Sequence, residues 1–291
     1  MSTATIASTI RREPELLGQT VVVIGGSSGI GLETARRAHA EGAKVILAAR
    51  NPERLKQAAS EVDALSTAAF DASDPAAIER FFRNLPVIDH VMVTAGRPYY
   101  GRLAEMDFAK IRDAVGEHVL QALYVARYAN SKVRPGGTLI FMGGTGGRRP
   151  GIGMSIAGAM TAALPALTAN LALEIAPVRV NLIAAGFVDT PLSAELLGDN
   201  LERRREQLRT ALPIRRAVGP ADVAALAVHV MTNSALPAQL MTSMVASSSS
   251  LLDAGMRKYP AWWVKKGLEF FGLEKQREHT CPRSICIRQP N

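Results

Sequence analysis

One stretch near the N-terminus, Val21–Ala35, restricts the folds open to this chain more than any other. It begins with four β-branched residues, passes through a turn that contains Gly25, Gly29 and Gly31, and continues directly into a helical pattern. A strand, turn and helix of this kind leave backbone N–H groups at the helix N-terminus to face an anion, and the glycines let a phosphate approach. The stretch therefore predicts a dinucleotide site, although the glycine spacing alone also fits a plain helix N-terminus.

Composition and charge exclude several classes of protein. The 291 residues are 47% hydrophobic and 21% charged, as in ordinary globular domains. The two cysteines, Cys281 and Cys286, lie in the last eleven residues, so we expect no disulfide framework and no metal site. The net charge is +8, but eight basic and three acidic residues follow Met256. Most of the positive charge therefore lies in the tail, and we expect no nucleic-acid partner.

The two ends of the chain differ from its middle. No apolar run approaches the roughly 20 residues that span a bilayer, and the N-terminus lacks a secretory pattern, so we expect a cytoplasmic protein. Residues 1–18 are rich in Ser and Thr and predict a flexible lead-in, with an organelle transit signal as the alternative. Residues 236–291 are a divergent basic and aromatic tail, which could pack on the body, bind a partner or lie on a membrane surface.

From Thr20 onward, strand-like and helical patterns alternate. Strands are predicted at Val21–Ile24, Lys44–Ala48, Thr67–Phe70, Ile88–Thr94, Thr138–Met142 and Val178–Ile183. Helices are predicted at Gly31–Glu41, Pro52–Val62, Pro75–Asn84, Lys110–Val133, Ser155–Ala176 and Pro220–Thr232, with a charged segment at Pro191–Leu212 before the last of them. This alternation predicts a Rossmann-type, doubly wound parallel sheet in a single domain, residues 19–235. Ligands of such sheets bind outside the carboxyl ends of the strands.

The loop after the second predicted strand indicates which dinucleotide the site prefers. About twenty residues beyond the glycine turn, an NAD-binding protein places a carboxylate on the ribose 2′-hydroxyl. This chain instead has Ala49, Arg50 and Asn51. A guanidinium suits a 2′-phosphate, so NADP(H) is favoured over NAD(H), with a solvated arginine as the alternative.

Two further loops offer cofactor contacts. Asp71 and Ala72 follow the third predicted strand, and Asp71 could accept a hydrogen bond from adenine or cap the next helix. Ala95 and Gly96 follow the fourth, where small residues let a ribose lie against the backbone, although packing alone also explains them.

These segments together resemble the short-chain dehydrogenase/reductase family, and its 3-oxoacyl-(acyl carrier protein) reductases in particular, over residues 19–235. The family's glycine motif matches Ile24–Gly31, its Asn-Asn-Ala-Gly segment matches Val93–Gly96, and its loop around the nicotinamide carboxamide matches Ala185–Pro191. The cofactor-binding residues implied by the sequence and the resemblance are Gly25, Ser27, Ser28, Gly29, Ile30, Gly31, Arg50, Asn51, Asp71, Ala72, Ala95, Gly96, Gly186, Val188 and Thr190.

The family's catalytic residues have no counterparts at the matching positions. The resemblance implies a tyrosine as general acid/base, a lysine four residues later, a serine that orients the carbonyl and an asparagine. The tyrosine position falls on Ala157, the lysine position on Thr161 and the serine position on Gly144. The asparagine position falls on or beside His118.

A shift of alignment does not restore the catalytic pair. The chain has no tyrosine between Tyr128 and Tyr259 and no lysine between Lys132 and Lys258. No Tyr-x-x-x-Lys pair can therefore be formed in this region.

Two candidates for proton transfer or substrate contact remain. Histidine side chains ordinarily titrate near neutral pH, so His118 could transfer a proton, or it could simply pack on its helix. Ser155 could take a catalytic role, but we favour its role as the N-cap of the following helix. The run Gly143–Gly147 predicts a close approach of ligand or backbone, or a flexible loop.

Two functions therefore stay open. The first is an NADP(H)-dependent oxidoreductase acting on a small carbonyl or alcohol substrate, with proton transfer by other groups or water. The alternative is an inactive NADP(H)-binding sensor, regulatory or scaffold protein. After Asn233 the family pattern stops, which leaves open that the sheet lacks its last strand and that the family's homo-oligomer is altered.

Overall fold

A computed structural model describes residues 13–235 and 240–243. The strands are β1 (Thr20–Ile24), β2 (Lys44–Ala49), β3 (Ser66–Ala69), β4 (Ile88–Val93), β5 (Val133–Gly144), β6 (Arg179–Ala185) and β7 (Leu240–Ser243). The α-helices are α1 (Gly29–Ala40), α2 (Pro52–Glu61), α3 (Pro75–Asn84), α4 (Phe108–Val115), α5 (Gln121–Ala129), α6 (Ser155–Glu174), α7 (Pro191–Leu197), α8 (Leu201–Ala211) and α9 (Pro220–Thr232). The predicted Rossmann-type doubly wound sheet is confirmed.

The order of the strands places the binding crevice. All described strands pair in parallel in the order β3-β2-β1-β4-β5-β6-β7. The chain thus moves outward from β1 to β3 and then returns to the other side of β1 with β4. In such sheets, ligands bind at the carboxyl ends of the two strands where the order reverses. Here these are β1 and β4.

Helices cover the sheet on both faces, which explains why its central strands are apolar without alternation. β4 and β6 are buried along their whole length, and four of the five residues of β1 are buried. One core cluster contains Phe82 and Leu164, and a second, separate cluster contains Leu47 and Val223. The two clusters hold the strand ends rigidly, so the loops at the carboxyl edge have a fixed base.

The helix α6 corrects one expectation from the sequence. Its 20 residues are long and apolar enough to cross a membrane by length and composition, whereas the sequence was expected to contain no such run. Leu164, Thr168 and Leu171 are buried against the sheet, while Leu173 is 81% exposed. In the described structure α6 covers the sheet with one face.

Most element bounds differ from the predicted ones by a few residues, and three larger differences concern the last strand, the helix before β5 and the start of the domain. The sheet does have a seventh strand in the described residues, since Leu240–Ser243 pairs with β6. The predicted helix Lys110–Val133 is broken by a π-helical turn at Gly116–Leu120, and it ends early because Val133 pairs with Ile88. Leu16 is fully buried, so the domain begins before residue 19. Residues 1–12 and most of the tail lie outside the described residues.

A buried histidine lies in β4, away from the carboxyl edge. His90 is 3% exposed; its Nε2 lies 2.7 Å from Gln19 Oε1, and its Nδ1 has no partner among the described residues. Burial lowers the pKa of His90 from 6.5 to about 4, with Asp89 opposing the shift and Arg179 adding to it. The folded protein therefore keeps this ring neutral at pH values where the unfolded chain protonates it.

We expect acid to destabilise the protein through His90. Between pH 6.5 and about 4 the unfolded chain binds a proton that the folded chain does not, so the free energy of unfolding falls as pH falls. The His90 contribution amounts to at most about 3 kcal/mol. Denaturant titrations across this range should show a shallower pH dependence for His90→Gln, with exposed His39→Gln as the control. Equal slopes for His90→Gln and the wild type would contradict this prediction.

Candidate functional site

The glycine turn is pressed against the end of β4. A Cβ on Gly25, whose φ is +94°, would lie 2.5 Å from Thr94 Oγ1, and one on Gly31 would lie 2.3 Å from the carbonyl oxygen of Gly25. The Thr94 hydroxyl donates to Gly25 O over 3.1 Å and approaches Ile24 O at 3.3 Å. Neither glycine has room for a side chain, so the turn has one conformation fixed by its neighbours.

The N-terminus of α1 is open to an anion. Ser28 occupies the N-cap position, but its side chain makes no capping hydrogen bond. The first N–H groups of a 12-residue helix, together with the helix dipole, thus face the crevice between β1 and β4. Ser27, Gly29 and Ile30 form the same turn. This arrangement fits the pyrophosphate of a dinucleotide.

Arg50 and Asp71 lie together at the ends of β2 and β3. Arg50 Nη1 is 3.9 Å from Asp71 Oδ2, and both side chains are exposed. Burial opposes ionisation of Asp71, but hydrogen bonds from the backbone and hydroxyl of Ser73, with the Arg50 charge, outweigh it and lower its pKa. Asp71 does not cap the next helix, because that position belongs to Asp74.

Two neighbouring predicted cofactor residues have structural roles. Asn51 is the N-cap of α2, where Oδ1 accepts a hydrogen bond from Arg54 N over 2.9 Å. Ala72 is buried, and its carbonyl accepts a hydrogen bond from Gln121 Nε2 over 3.2 Å. Both residues therefore fix the position of the loops around Arg50 and Asp71.

The loop after β6 closes the other side of the crevice. A Cβ on Gly29 would lie 3.6 Å from Thr190 Cβ, so this loop meets the glycine turn. Thr190 caps α7 by accepting a hydrogen bond from Ser193 N, and Val188 is buried beside Val218. These contacts hold Val188 and Thr190 at the carboxyl edge of the sheet, next to the glycine turn.

The three residues that the resemblance matches to the family's serine, tyrosine and lysine lie close together. Thr161 Oγ1 donates to Ala157 O over 2.8 Å and approaches Gly158 O at 3.1 Å, so its hydroxyl bonds within its own helix. A Cβ on Gly144 would lie 3.0 Å from Thr161 Cγ2. Ala157 is buried. None of these three side chains can act as a general acid or base.

The glycine run after β5 brings backbone against α6. A Cβ on Gly147 would lie 2.8 Å from Ala162 N, and one on Gly146 would lie 3.1 Å from Met154 Cε. Of the interpretations left open by the sequence, the close approach of backbone is the one observed. Thr145 lies in the same run, with Oγ1 3.9 Å from the Cβ position of Gly186.

His118 lies in the π-helical turn between α4 and α5. Its Nδ1 is 3.0 Å from Ala114 O, so a hydrogen bond within the helix leaves Nε2 for other contacts. The turn borders the cofactor loop, because a Cβ on Gly96 would lie 3.2 Å from Glu117 O. π-helical turns occur often at functional sites.

Ser155 does not have the role that its residue type favours. It is the first residue of α6 and is exposed, and the N-cap position is Met154, which makes no side-chain capping hydrogen bond. The capping interpretation of Ser155 is therefore wrong.

Two ion pairs hold the segment after β6, and the sequence patterns predicted neither of them. Arg205 of α8 donates to both carboxylate oxygens of Asp189, each over 2.8 Å. Arg97, which follows Gly96, donates to Glu195 Oε1 of α7 over 2.9 Å. The partners are 16 and 98 residues apart in sequence, so no local pattern could identify them.

Comparisons with known proteins agree with this geometry. A family model described as enoyl-(acyl carrier protein) reductase matches residues 24–249. A short-chain dehydrogenase/reductase of Stachybotrys chlorohalonatus is 29% identical over 76% of this chain and 93% of its own length. The chain belongs to the short-chain dehydrogenase/reductase family, as the motifs predicted.

Solved structures with nicotinamide cofactors share the fold. A short-chain dehydrogenase from Burkholderia cenocepacia in complex with NADP is 26% identical with a TM-score of 0.71, covering 78% of this chain and 97% of that one. An actinorhodin polyketide ketoreductase with NADPH is also 26% identical, with a TM-score of 0.70, covering 77% and 95%. Relatives thus combine this fold with a nicotinamide nucleotide.

We expect Gly31→Ala to disrupt the site. Its Cβ would meet the Gly25 carbonyl at 2.3 Å, so the turn must move, which typically costs about 1–3 kcal/mol. Thermal unfolding should show a lower Tm for this variant. Gly116→Ala is the matched control, because nothing lies within 4 Å of its Cβ position. Unchanged stability of Gly31→Ala would show that the turn is not fixed by this contact.

Proposed function

We propose that this protein binds NADP(H) and transfers a hydride between the cofactor and a small carbonyl or alcohol substrate. The observation that carries the proposal is the uncapped N-terminus of α1, fixed by Gly25, Gly31 and Thr94 in the crevice between β1 and β4. When bound, the nicotinamide supplies the hydride chemistry. The chain itself binds the phosphates, positions the substrate and excludes water.

The preference for NADP(H) rests on Arg50. Its contact with Asp71 is long, at 3.9 Å, and joins two exposed side chains, so it holds the guanidinium weakly. Arg50 can therefore turn toward a 2′-phosphate, whose oxygens match the planar guanidinium. A carboxylate at this position would repel that phosphate.

The proton required for carbonyl reduction has to come from a source other than the family's tyrosine. Because His118 Nδ1 donates to the Ala114 carbonyl, Nε2 can give a proton only when the ring is the imidazolium cation. That cation and water are two candidate proton sources, and the ring is then reprotonated from solvent. Loss of a positioned general acid typically slows a reaction by about two to four orders of magnitude. We therefore expect slow turnover with ordinary ketones.

A specific observation favours the alternative function, a nucleotide-binding protein without turnover. Gly144, Ala157 and Thr161 are packed together instead of presenting acid or base groups to the crevice. A sensor, regulatory or scaffold protein needs only the phosphate and ribose contacts, which this chain retains.

Nucleotide titration tests the shared part of both functions. We expect NADPH to bind more tightly than NADH, and Arg50→Asp to weaken NADPH binding by about tenfold or more through loss of charge-assisted hydrogen bonds. NADPH fluorescence measures both affinities. Arg54→Asp, the same charge change on the exposed side of α2, is the control. An unchanged preference in Arg50→Asp would remove the phosphate role from Arg50.

Single-turnover kinetics separate the two functions. With NADPH bound, we expect slow oxidation in the presence of ketones or 3-oxoacyl thioesters, above the rate without substrate. His118→Gln should slow it by about two orders of magnitude or more if the ring donates the proton. His229→Gln is the control. Binding without oxidation would favour the inactive protein, and failure to bind either nucleotide would contradict both functions.

A further inference from the structure

The ion pair between Arg97 and Glu195 joins the loop after β4 to helix α7 at the carboxyl edge of the sheet. Arg97 follows Gly96 at the end of β4, and its backbone N–H donates to Glu117 Oε2 over 2.9 Å. Glu195 lies in α7, which begins beside Thr190 and follows β6. Because β5 lies between β4 and β6 in the sheet, the pair passes over the carboxyl end of β5.

This pair differs from the second ion pair of the same segment. Arg205 donates one hydrogen bond to each carboxylate oxygen of Asp189, which fixes the geometry of that pair at two points. Arg97 holds one oxygen of Glu195, and the side chains are 42% and 63% exposed. A partly exposed, single-point pair is held weakly, and a planar guanidinium can bind a carboxylate through two hydrogen bonds. Glu195 can therefore be displaced by another carboxylate.

The surrounding loops favour an anion. The segment between β4 and α4 carries Arg97 and Arg102 against Glu105 and Asp107. The segment between β5 and α6 carries Arg148 and Arg149 and no acidic residue. The two segments meet, because Gly101 N donates to Gly153 O over 3.0 Å. Positive charges that lie together on neighbouring loops attract a ligand of opposite charge.

We propose that Arg97 is a specificity-determining residue that binds the carboxylate of the substrate. In the structure described here, the carboxylate of Glu195 occupies the position that the substrate carboxylate would take. The inference rests on the proposed function and narrows its substrate class to oxo acids or hydroxy acids. Binding of the substrate carboxylate breaks the ion pair between Arg97 and Glu195.

Matched acids and esters test the inference. Pyruvate, acetoacetate and levulinate are each compared with their methyl esters by calorimetric titration, with and without NADPH. At least one acid should bind about tenfold more tightly than its ester, as expected for a charge-assisted hydrogen bond. Arg97→Gln should abolish this preference, and Arg97→Lys should restore part of it. Glu195→Gln should strengthen acid binding without changing ester binding.

The controls keep the inference separate from the proposed function. Arg80→Gln, which removes an exposed arginine of α3 outside these loops, should retain the preference for acids. Equal affinities of every acid and ester in the wild type, or a preference that survives Arg97→Gln, would overturn the inference. Unchanged acid binding in Glu195→Gln would overturn the displacement. Failure to bind NADPH contradicts the proposed function alone, because the acid titration without nucleotide still measures the role of Arg97.

Discussion

The close approach of the glycine turn to the end of β4 is the contact on which the site depends. Two glycines leave space that the Thr94 hydroxyl fills, and that hydroxyl bonds back to the carbonyl of Gly25. β1 and β4 are neighbours in the sheet although more than sixty residues separate them. The contact therefore joins the two strands at which the order reverses, and it aims α1 at the crevice.

The remaining loops are arranged around that contact. Thr190 meets the glycine turn from the side of β6, and Gly96 meets Glu117 from the side of β4. The first contact places the segment that contains α7 and α8 above the crevice, while the second places the π-helical turn and His118 beside it. The two core clusters on the faces of the sheet hold the strand ends, so the positions of the loops that follow those strands are fixed by close packing.

The sequence predicted the parts of this protein that depend on local patterns. The apolar runs, the glycine turn and the alternation of elements follow from short-range rules, and they were sufficient for the fold and the family. The predicted Ser155 cap was wrong because a favourable residue type does not fix where a helix begins. The end of the helix before β5 was predicted too late, since pairing of Val133 with Ile88 overrides helical pattern. The partner of Arg97 could not be predicted, because it lies 98 residues away.

The end of β5 packs closely against α6 at the positions that the resemblance matches to the family's serine and lysine. Those positions are Gly144 and Thr161, and a Cβ on Gly144 would lie 3.0 Å from Thr161 Cγ2. Neither residue carries an ionisable side chain, so under the proposed function the proton comes from another group or from water. Selection of a ligand by charge at Arg97 needs no proton donor, since a guanidinium keeps its charge at all physiological pH values. The proposed role of Arg97 in ligand selection is therefore independent of the group that supplies the proton.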